Sequence, residues 1–326
     1  MNASELRNRD TRTARPLAAL TGASGFLGEH IGRALEGAGF RVRILARRDP
    51  STQAGLDSAS EIVVGRLADA EALAVLVQDC EVVVHAAGLI KARRRQDFTT
   101  INVEGSRRLA EAAARHAPDA RVLLISSLTA REPGLSAYAA SKRAAEEAMR
   151  AALPAERLVI VRPPAIYGPG DRETLALFKA VRAPVAPLPG TDRARLALIH
   201  AADAAVQIAA LAAAPAAGGV WALADARPQG YGWREIMTTA AAAVGRRPAL
   251  LPLPAAAALA LGGASAAMAR LTGGAPILTL GKARELLHPD WSISAAELAP
   301  DAPRPRFDLA EGFADTVAWY RARGWL

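Results

Sequence analysis

The chain has 326 residues, 51% of them hydrophobic, which suits one large α/β unit or one domain with a smaller lobe. A single cysteine, Cys80, excludes a disulfide framework, and five scattered histidines (His30, His85, His116, His200 and His288) lack metal-ligand spacing, so no metal site is expected. The net charge of +8 is almost all arginine, with four lysines (Lys91, Lys142, Lys179 and Lys282). It is not interleaved with aromatics, which argues against nucleic acid and leaves an anionic small molecule, an anionic membrane surface or an ordinary solvated face.

In chain order, residues 1–15 are polar and lack an apolar run, so they read as a disordered arm and not as a secretory signal. Strands are then expected at Leu17–Leu20, Val42–Ala46, Ile62–Val64, Val82–His85, Val122–Ile125 and Val159–Val161. Helical patterns lie between them at Phe26–Glu36, Ala70–Val77, Val103–Arg115 and Tyr138–Ala152. Several strands are apolar without alternation, as strands covered on both faces are. The alternation predicts an α/β protein with a doubly wound parallel sheet.

After Arg162 the segment PPAIYGPG (Pro163–Gly170) carries too much proline and glycine for regular structure. It reads as a loop leaving the carboxyl end of a strand, where ligands bind in such sheets. A helix is expected at Thr174–Ala183, a break at Pro184–Gly190, and a strand with a helix at Ala197–Ala214. That strand and another at Val220–Ala224 are expected to return to the main sheet. The expected division is therefore 16–170 with about 196–224 as the cofactor domain, and about 171–195 with 225–326 as a smaller, mostly helical substrate lobe. In that lobe Pro248–Ala269 runs 22 residues without a charge. The length suits a bilayer, but three prolines, two glycines and abundant alanine weaken that reading. A lobe helix, or one touching a membrane or a greasy substrate, fits better.

The first strand runs straight into Thr21-Gly22-Ala23-Ser24-Gly25-Phe26-Leu27-Gly28, and a helix follows. Gly22 permits a tight turn, Gly25 lets backbone approach a pyrophosphate, and Gly28 lets the helix pack on the strand. The helix N-terminus offers free N–H groups to phosphate. Strand before and helix after are the context that makes this motif a nicotinamide-dinucleotide site. The second strand ends Ala46-Arg47-Arg48, where NAD sites tend to carry an acidic residue for the ribose 2′-hydroxyl. A guanidinium suits a 2′-phosphate, so NADP is preferred over NAD.

Tyr138 and Lys142 are spaced i, i+4 and share one helix face. A phenol near pKa 10 is a poor acid-base at neutral pH; a nearby ammonium and an oxidised nicotinamide favour the phenolate. Tyr138 is thus a candidate proton donor to a carbonyl, and Lys142 its electrostatic partner and a hold on the cofactor ribose. Ser127, just past the strand tip at Ser126, is a candidate for hydrogen-bonding the carbonyl, with Thr129 as a weaker substitute.

These motifs resemble the extended short-chain dehydrogenase/reductase family, which includes nucleotide-sugar epimerases and dehydratases and the 3β-hydroxysteroid dehydrogenases. The likeness rests on TGASGFLG at Thr21, HAAG at His85, NVEGS at Asn102, ISS at Ile125, YAASK at Tyr138, RPPAIYGPGD at Arg162 and IHAAD at Ile199. The resemblance implies a Rossmann sheet and a cofactor lined by Gly22, Ser24, Gly25, Phe26, Leu27, Gly28, Arg47, Leu67, Ala86, Ala87, Gly88, Asn102, Ser126, Tyr138, Lys142 and Pro163, with Pro164 nearby. It implies catalysis by Ser127, Tyr138 and Lys142. His200 and Asp203 read as loop-ordering and helix-capping residues. Where the family often has Gly-Asp-Leu after the third strand, this chain has Gly65-Arg66-Leu67, so adenine recognition must differ.

The lobe from Pro248 to Trp291 resembles the 3β-hydroxysteroid dehydrogenase-like, lipid-acting branch. The expectation is an NAD(P)H-dependent oxidoreductase acting on the ketone or alcohol of a 3-oxo acyl, sphingoid/ceramide-type or steroid compound. A nucleotide-sugar epimerase or dehydratase with bound NAD, and a non-catalytic cofactor-bound subunit of a membrane complex, are the alternatives. Leu128 and Thr129 stand where the dehydratases tend to place an acid-base pair, which speaks against dehydration. A cytoplasmic location is expected, with peripheral membrane contact and homodimerisation left open.

Overall fold

A computed structural model describes residues 15–48, 61–92, 94–191, 193–214, 218–272 and 279–326. All but the last residue of the expected N-terminal arm, 1–14, lie outside them. In chain order the first half runs β1 (Leu17–Thr21), α1 (Phe26–Gly37), β2 (Arg41–Ala46), β3 (Glu61–Val64), α2 (Ala70–Val77), β4 (Val82–His85), α3 (Arg95–Phe98), α4 (Gly105–His116), β5 (Arg121–Ile125), α5 (Ala137–Ala152) and β6 (Leu158–Arg162). It continues through β7 (Ala165–Tyr167), α6 (Leu175–Ala180), β8 (Val185–Leu188), β9 (Arg195–Leu196), β10 (Leu198–His200), α7 (Ala201–Ala213) and β11 (Gly219–Ala222). The last part holds α8 (Trp233–Val244), β12 (Ala249–Pro252), α9 (Ala255–Thr272), α10 (Leu280–Leu287), β13 (Asp290–Trp291) and α11 (Leu309–Ala322).

Among the described residues the main sheet has seven parallel strands in the order β3-β2-β1-β4-β5-β6-β11. The chain reverses its direction of travel across the sheet between β1 and β4. In sheets of this kind ligands bind outside the carboxyl ends of the two strands at such a switch point. The strands are apolar on both faces because both are covered. Ala18, Leu20, Val84 and Leu123 pack with Ile31 and Leu35 of α1 and Ile208 of α7. Leu17, Ala19, Val83 and Leu124 face Leu73 and Leu76 of α2, Leu109 of α4 and Met149 of α5 on the other side. A third core joins residues from both expected parts of the chain, and in it Tyr167, Phe178 and Phe313 meet edge to face at 4.9 and 5.1 Å.

Five expectations need correction. PPAIYGPG is not wholly irregular: Ala165–Tyr167 form β7, which pairs in parallel with β10, so β10 does not join the main sheet. Pro184–Gly190 contains β8, paired with β12. Pro187 is tolerated there because β8 is paired on one edge only. The helix expected at Val103–Arg115 begins at Gly105, preceded by a π-helical segment, Thr99–Glu104, that carries Asn102. Helix α6 is also shorter than the pattern suggests. No helix among the described residues is long and apolar enough to cross a membrane; the uncharged run folds as β12 followed by α9.

Candidate active site

The loop between β1 and α1 is built around two glycines that admit no side chain. Gly22 has φ of +78°, and a Cβ there would lie 2.6 Å from the Ala87 nitrogen and 2.7 Å from the Ala86 carbonyl carbon. A Cβ on Gly28 would lie 1.9 Å from the Gly22 carbonyl oxygen. Gly25 is the N-cap of α1 and offers no side chain to cap it. The helical ladder begins with Glu29 N donating to Gly25 O at 3.0 Å. The first-turn N–H groups therefore point outward at an exposed Ser24-Gly25 edge, flanked by half-buried Phe26 and Leu27. Bare backbone, free N–H groups and a positive dipole end fit a pyrophosphate.

Across the switch point Thr21 and His85 are register partners. Thr21 Oγ1 lies 2.6 Å from His85 Nδ1, His85 Nε2 lies 3.0 Å from Ser106 Oγ, and Ser106 Oγ donates to the Asn102 carbonyl at 2.6 Å. Because the Ser106 proton goes to that carbonyl, Nε2 carries the ring proton and Nδ1 accepts from Thr21. Burial and then the Lys142 charge push His85 down to about 3, so the ring is neutral as these bonds require. Thr21 Oγ1 also accepts from Ala87 N at 3.3 Å. The Ala86-Ala87-Gly88 strip is thereby tied to the glycine loop.

Asn102, 2% exposed, joins that strip to α5. Its Oδ1 accepts from Leu89 N at 2.7 Å, and its Nδ2 donates to Leu89 O at 3.0 Å and Ser141 Oγ at 2.8 Å. Its side-chain oxygen and nitrogen are both engaged by protein, so its role is structural first. A Cβ on Gly88 would meet Asn102 Oδ1 at 3.2 Å and Lys142 Nζ at 3.5 Å.

Ser136 caps α5 by accepting from Ala139 N at 2.9 Å, and Tyr138 follows in the first turn. The Tyr138 ring packs on Phe98 with centroids 6.2 Å apart. Burial pushes its phenol up to about 12; a hydrogen bond with Ser127 works the other way and the Glu285 carboxylate adds to the rise. The expected lowering by Lys142 does not appear: desolvation sets the direction, and the charge acting on the phenol is that of Glu285. Lys142 Nζ donates to the Ile125 carbonyl at 2.7 Å. Burial lowers its pKa to about 8, with Glu146 pulling it back up. Ser127 Oγ accepts from Thr129 N at 3.2 Å and from Thr129 Oγ1 at 2.9 Å. Its own proton is therefore left for the hydrogen bond it shares with Tyr138.

Ser126 Oγ donates to Glu146 at 2.6 Å, so its hydroxyl is turned into the protein. The buried Pro163 accepts from Leu128 N at 2.8 Å and fixes the turn after Ser127. Arg47 and Arg48 are exposed past the end of β2. Gly65 N donates to Ala46 O at 2.9 Å, which brings the exposed Arg66 alongside Arg47 at the carboxyl edge. Leu67 packs against Gly105. His200 accepts from Ala202 N at 3.3 Å as a cap, and Asp203 accepts from the Arg306 and Phe307 amides at 2.9 and 3.0 Å.

The predicted residues thus fall into two groups along one edge. Gly22–Gly28, Ala86–Gly88, Asn102, Ser126, Ser127, Tyr138, Lys142 and Pro163 are linked by the contacts above, whereas Arg47 and Leu67 sit at the β2–β3 end. Sequence reasoning missed the buried Glu146 and the lobe's Glu285, which accepts from the Ser136 hydroxyl. Glu146 stands i+4 from Lys142, and that spacing is the available signal. Glu285 has none, being 149 residues from its partner.

A model of the NAD dependent epimerase/dehydratase family matches residues 18–224. The chain is 50% identical over 314 residues to a ceramide reductase of Caulobacter vibrioides (strain NA1000 / CB15N), covering 96% of this chain and 97% of the relative. It is 31% identical over 182 residues to a 4-hydroxy-2-methyl-3-oxo-4-farnesyl-3,4-dihydroquinoline-1-oxide ketoreductase of Stigmatella aurantiaca, covering 50% and 54% of the two chains. Its fold is similar to that of DesIV, a dTDP-glucose 4,6-dehydratase of Streptomyces venezuelae solved with NAD bound. There the TM-score is 0.71 at 22% identity, over 95% of this chain and 98% of that one.

Proposed function

The chain belongs to the NAD-dependent epimerase/dehydratase family of extended short-chain dehydrogenases/reductases, and from that premise we propose that it reduces the ketone of a ceramide-type lipid with NADPH. That it is an NAD(P)-dependent oxidoreductase follows from the family; substrate, cofactor choice and residue roles are our reading. The observation that carries it is the near full-length similarity at 50% identity to a protein named ceramide reductase, joined to a Ser127, Tyr138 and Lys142 cluster at the strand tips.

The Gly22–Gly28 cradle would hold the pyrophosphate, and Arg47, with Arg66 beside it, would meet a 2′-phosphate. When bound, the dinucleotide supplies the hydride. Ser127 would turn its hydroxyl proton from Tyr138 to the incoming ketone oxygen. Tyr138 would give the proton that makes the alcohol, and a phenol held above its ordinary pKa is in the protonated form this direction needs. Lys142, as an ammonium, would stabilise the phenolate left behind. Leu128 and Thr129 carry no carboxylate after Ser127, so a dehydration would lack an acid-base pair there.

The lobe supports a lipophilic substrate. Gly281 of α10 packs on Ser136, two residues before Tyr138, so the exposed Leu280 lies beside the start of the catalytic helix. Leu261 and Met268 on α9 are exposed as well. Covering such surface with an acyl chain contributes about 25 cal/mol per Å². We place this apolar face against the lipid surface from which the substrate is taken.

A substrate panel tests the reading. NADPH oxidation is expected with a ceramide-type 3-oxo lipid and not with UDP- or dTDP-sugars. Arg47→Ala is expected to weaken NADPH binding about tenfold, or ~1.4 kcal/mol, without changing NADH binding. Turnover of nucleotide sugars alone would overturn the proposal.

A further inference from the structure

Glu146 lies one turn beyond Lys142 on the same face of α5, and its side chain is 0% exposed. Its Oε1 accepts from Ser126 Oγ at 2.6 Å and Arg162 Nε at 2.9 Å, and its Oε2 from Arg162 Nη2 at 2.6 Å. Ser126 directly follows β5 and Arg162 ends β6. Each is followed at once by a candidate site residue, Ser127 or Pro163. Lys142 holds the Ile125 carbonyl just before Ser126. Three elements of the site therefore converge on one buried carboxylate.

We propose that Glu146 is a positioning residue: its buried carboxylate locks the tips of β5 and β6 to the helix carrying Tyr138 and Lys142, and it places a negative charge one turn from Lys142 on that helix. The inference rests on the reading of Lys142 given above. A buried ion pair adds little net stability compared with apolar packing of the same volume. Here its bidentate geometry instead fixes two strand tips relative to one helix.

The charges around the pair are few. Arg162 faces Glu146 from β6, with Glu297 of the lobe behind it. Arg143 and Arg150 approach Glu146 from α5 itself at 3.8 and 3.6 Å, both partly exposed. Lys142 is faced by the neutral His85 from β4 and by Tyr138 on its own helix. Burial lowers the Lys142 pKa to about 8 and Glu146 alone opposes it. Loss of that carboxylate therefore lowers the Lys142 midpoint further, into the working pH range. Loss of the Arg162 guanidinium, which competes for the same carboxylate, raises it.

The chain's four lysines make this measurable by lysine ¹³Cε NMR titration of the full-length protein. In Glu146→Gln the Lys142 midpoint is expected to fall by about one pH unit or more, with Lys91, Lys179 and Lys282 unmoved. In Arg162→Gln it is expected to rise. A folded Glu146→Gln with an unchanged midpoint overturns the inference. If Glu146→Gln does not fold, Arg162→Gln decides, and a midpoint that does not rise overturns it. The alkaline limb of ketone reduction is expected to move with the midpoint. A midpoint that moves while the limb stays fixed supports Glu146 as the residue that sets Lys142 and overturns the catalytic reading of Lys142 instead.

Discussion

Tyr138→Phe is expected to lower kcat about 10³-fold, or ~4 kcal/mol in barrier, while NADPH affinity stays within about twofold. The substitution keeps the ring that packs on Phe98 and removes only the hydroxyl. Near Ser127 the Thr129 hydroxyl is spent on Ser127 itself and the Lys142 ammonium is turned to the Ile125 carbonyl, which leaves the Tyr138 hydroxyl to give up a proton to a ketone oxygen. Removing a half-buried hydroxyl leaves no charge stranded, so the melting temperature should hold. Single-turnover kinetics with saturating NADPH reads the chemical step directly. A variant within tenfold of wild type would mean that Tyr138 is not the proton donor.

Gly28→Ala is expected to cost about 3 kcal/mol of stability and to weaken NADPH binding at least about 100-fold. The added Cβ would lie 1.9 Å from the Gly22 carbonyl oxygen and 2.6 Å from its carbon, both backbone atoms. Either α1 moves away from β1 or the Gly22 turn opens, and both displace the N–H groups that would face the pyrophosphate. At Gly37, the far end of the same helix, an added Cβ would meet nothing within 4 Å, so Gly37→Ala is the matched control and should bind normally. Fluorescence titration with NADPH, alongside thermal unfolding, checks both variants. Wild-type affinity in Gly28→Ala would show that the cradle does not hold the dinucleotide.

The parts of the fold legible in the sequence are those whose cause is local. Val82–Val84 is an unbroken apolar run, and α1 follows its glycine loop directly, so both elements can be placed within a residue. Strands β7 and β8 are not legible, because each is short, rich in proline or bounded by it, and held by a partner further along the chain. The same division runs through the site. Tyr138 and Lys142 announce themselves by spacing on one helix. Glu285 reaches Ser136 across 149 residues, and only the folded lobe brings them together. In the sequence His85 is one of several scattered histidines; the strand register sets it against Thr21. The basic character of the chain is readable, but its distribution is not. Arg162 spends its charge on a buried carboxylate, whereas Arg47 remains exposed past the end of β2.

Isotope transfer is the decisive measurement for ketone reduction by this chain. NADPH carrying deuterium at both C4 positions is incubated with the protein and a ceramide-type 3-oxo lipid in vesicles, and the product is read by mass spectrometry. The expected product is an alcohol one mass unit heavier than with unlabelled NADPH, the deuterium on the carbinol carbon, with no product from Tyr138→Phe above about a thousandth of the wild-type rate. An unlabelled product, or no lipid alcohol alongside nucleotide-sugar turnover by the same preparation, would contradict it.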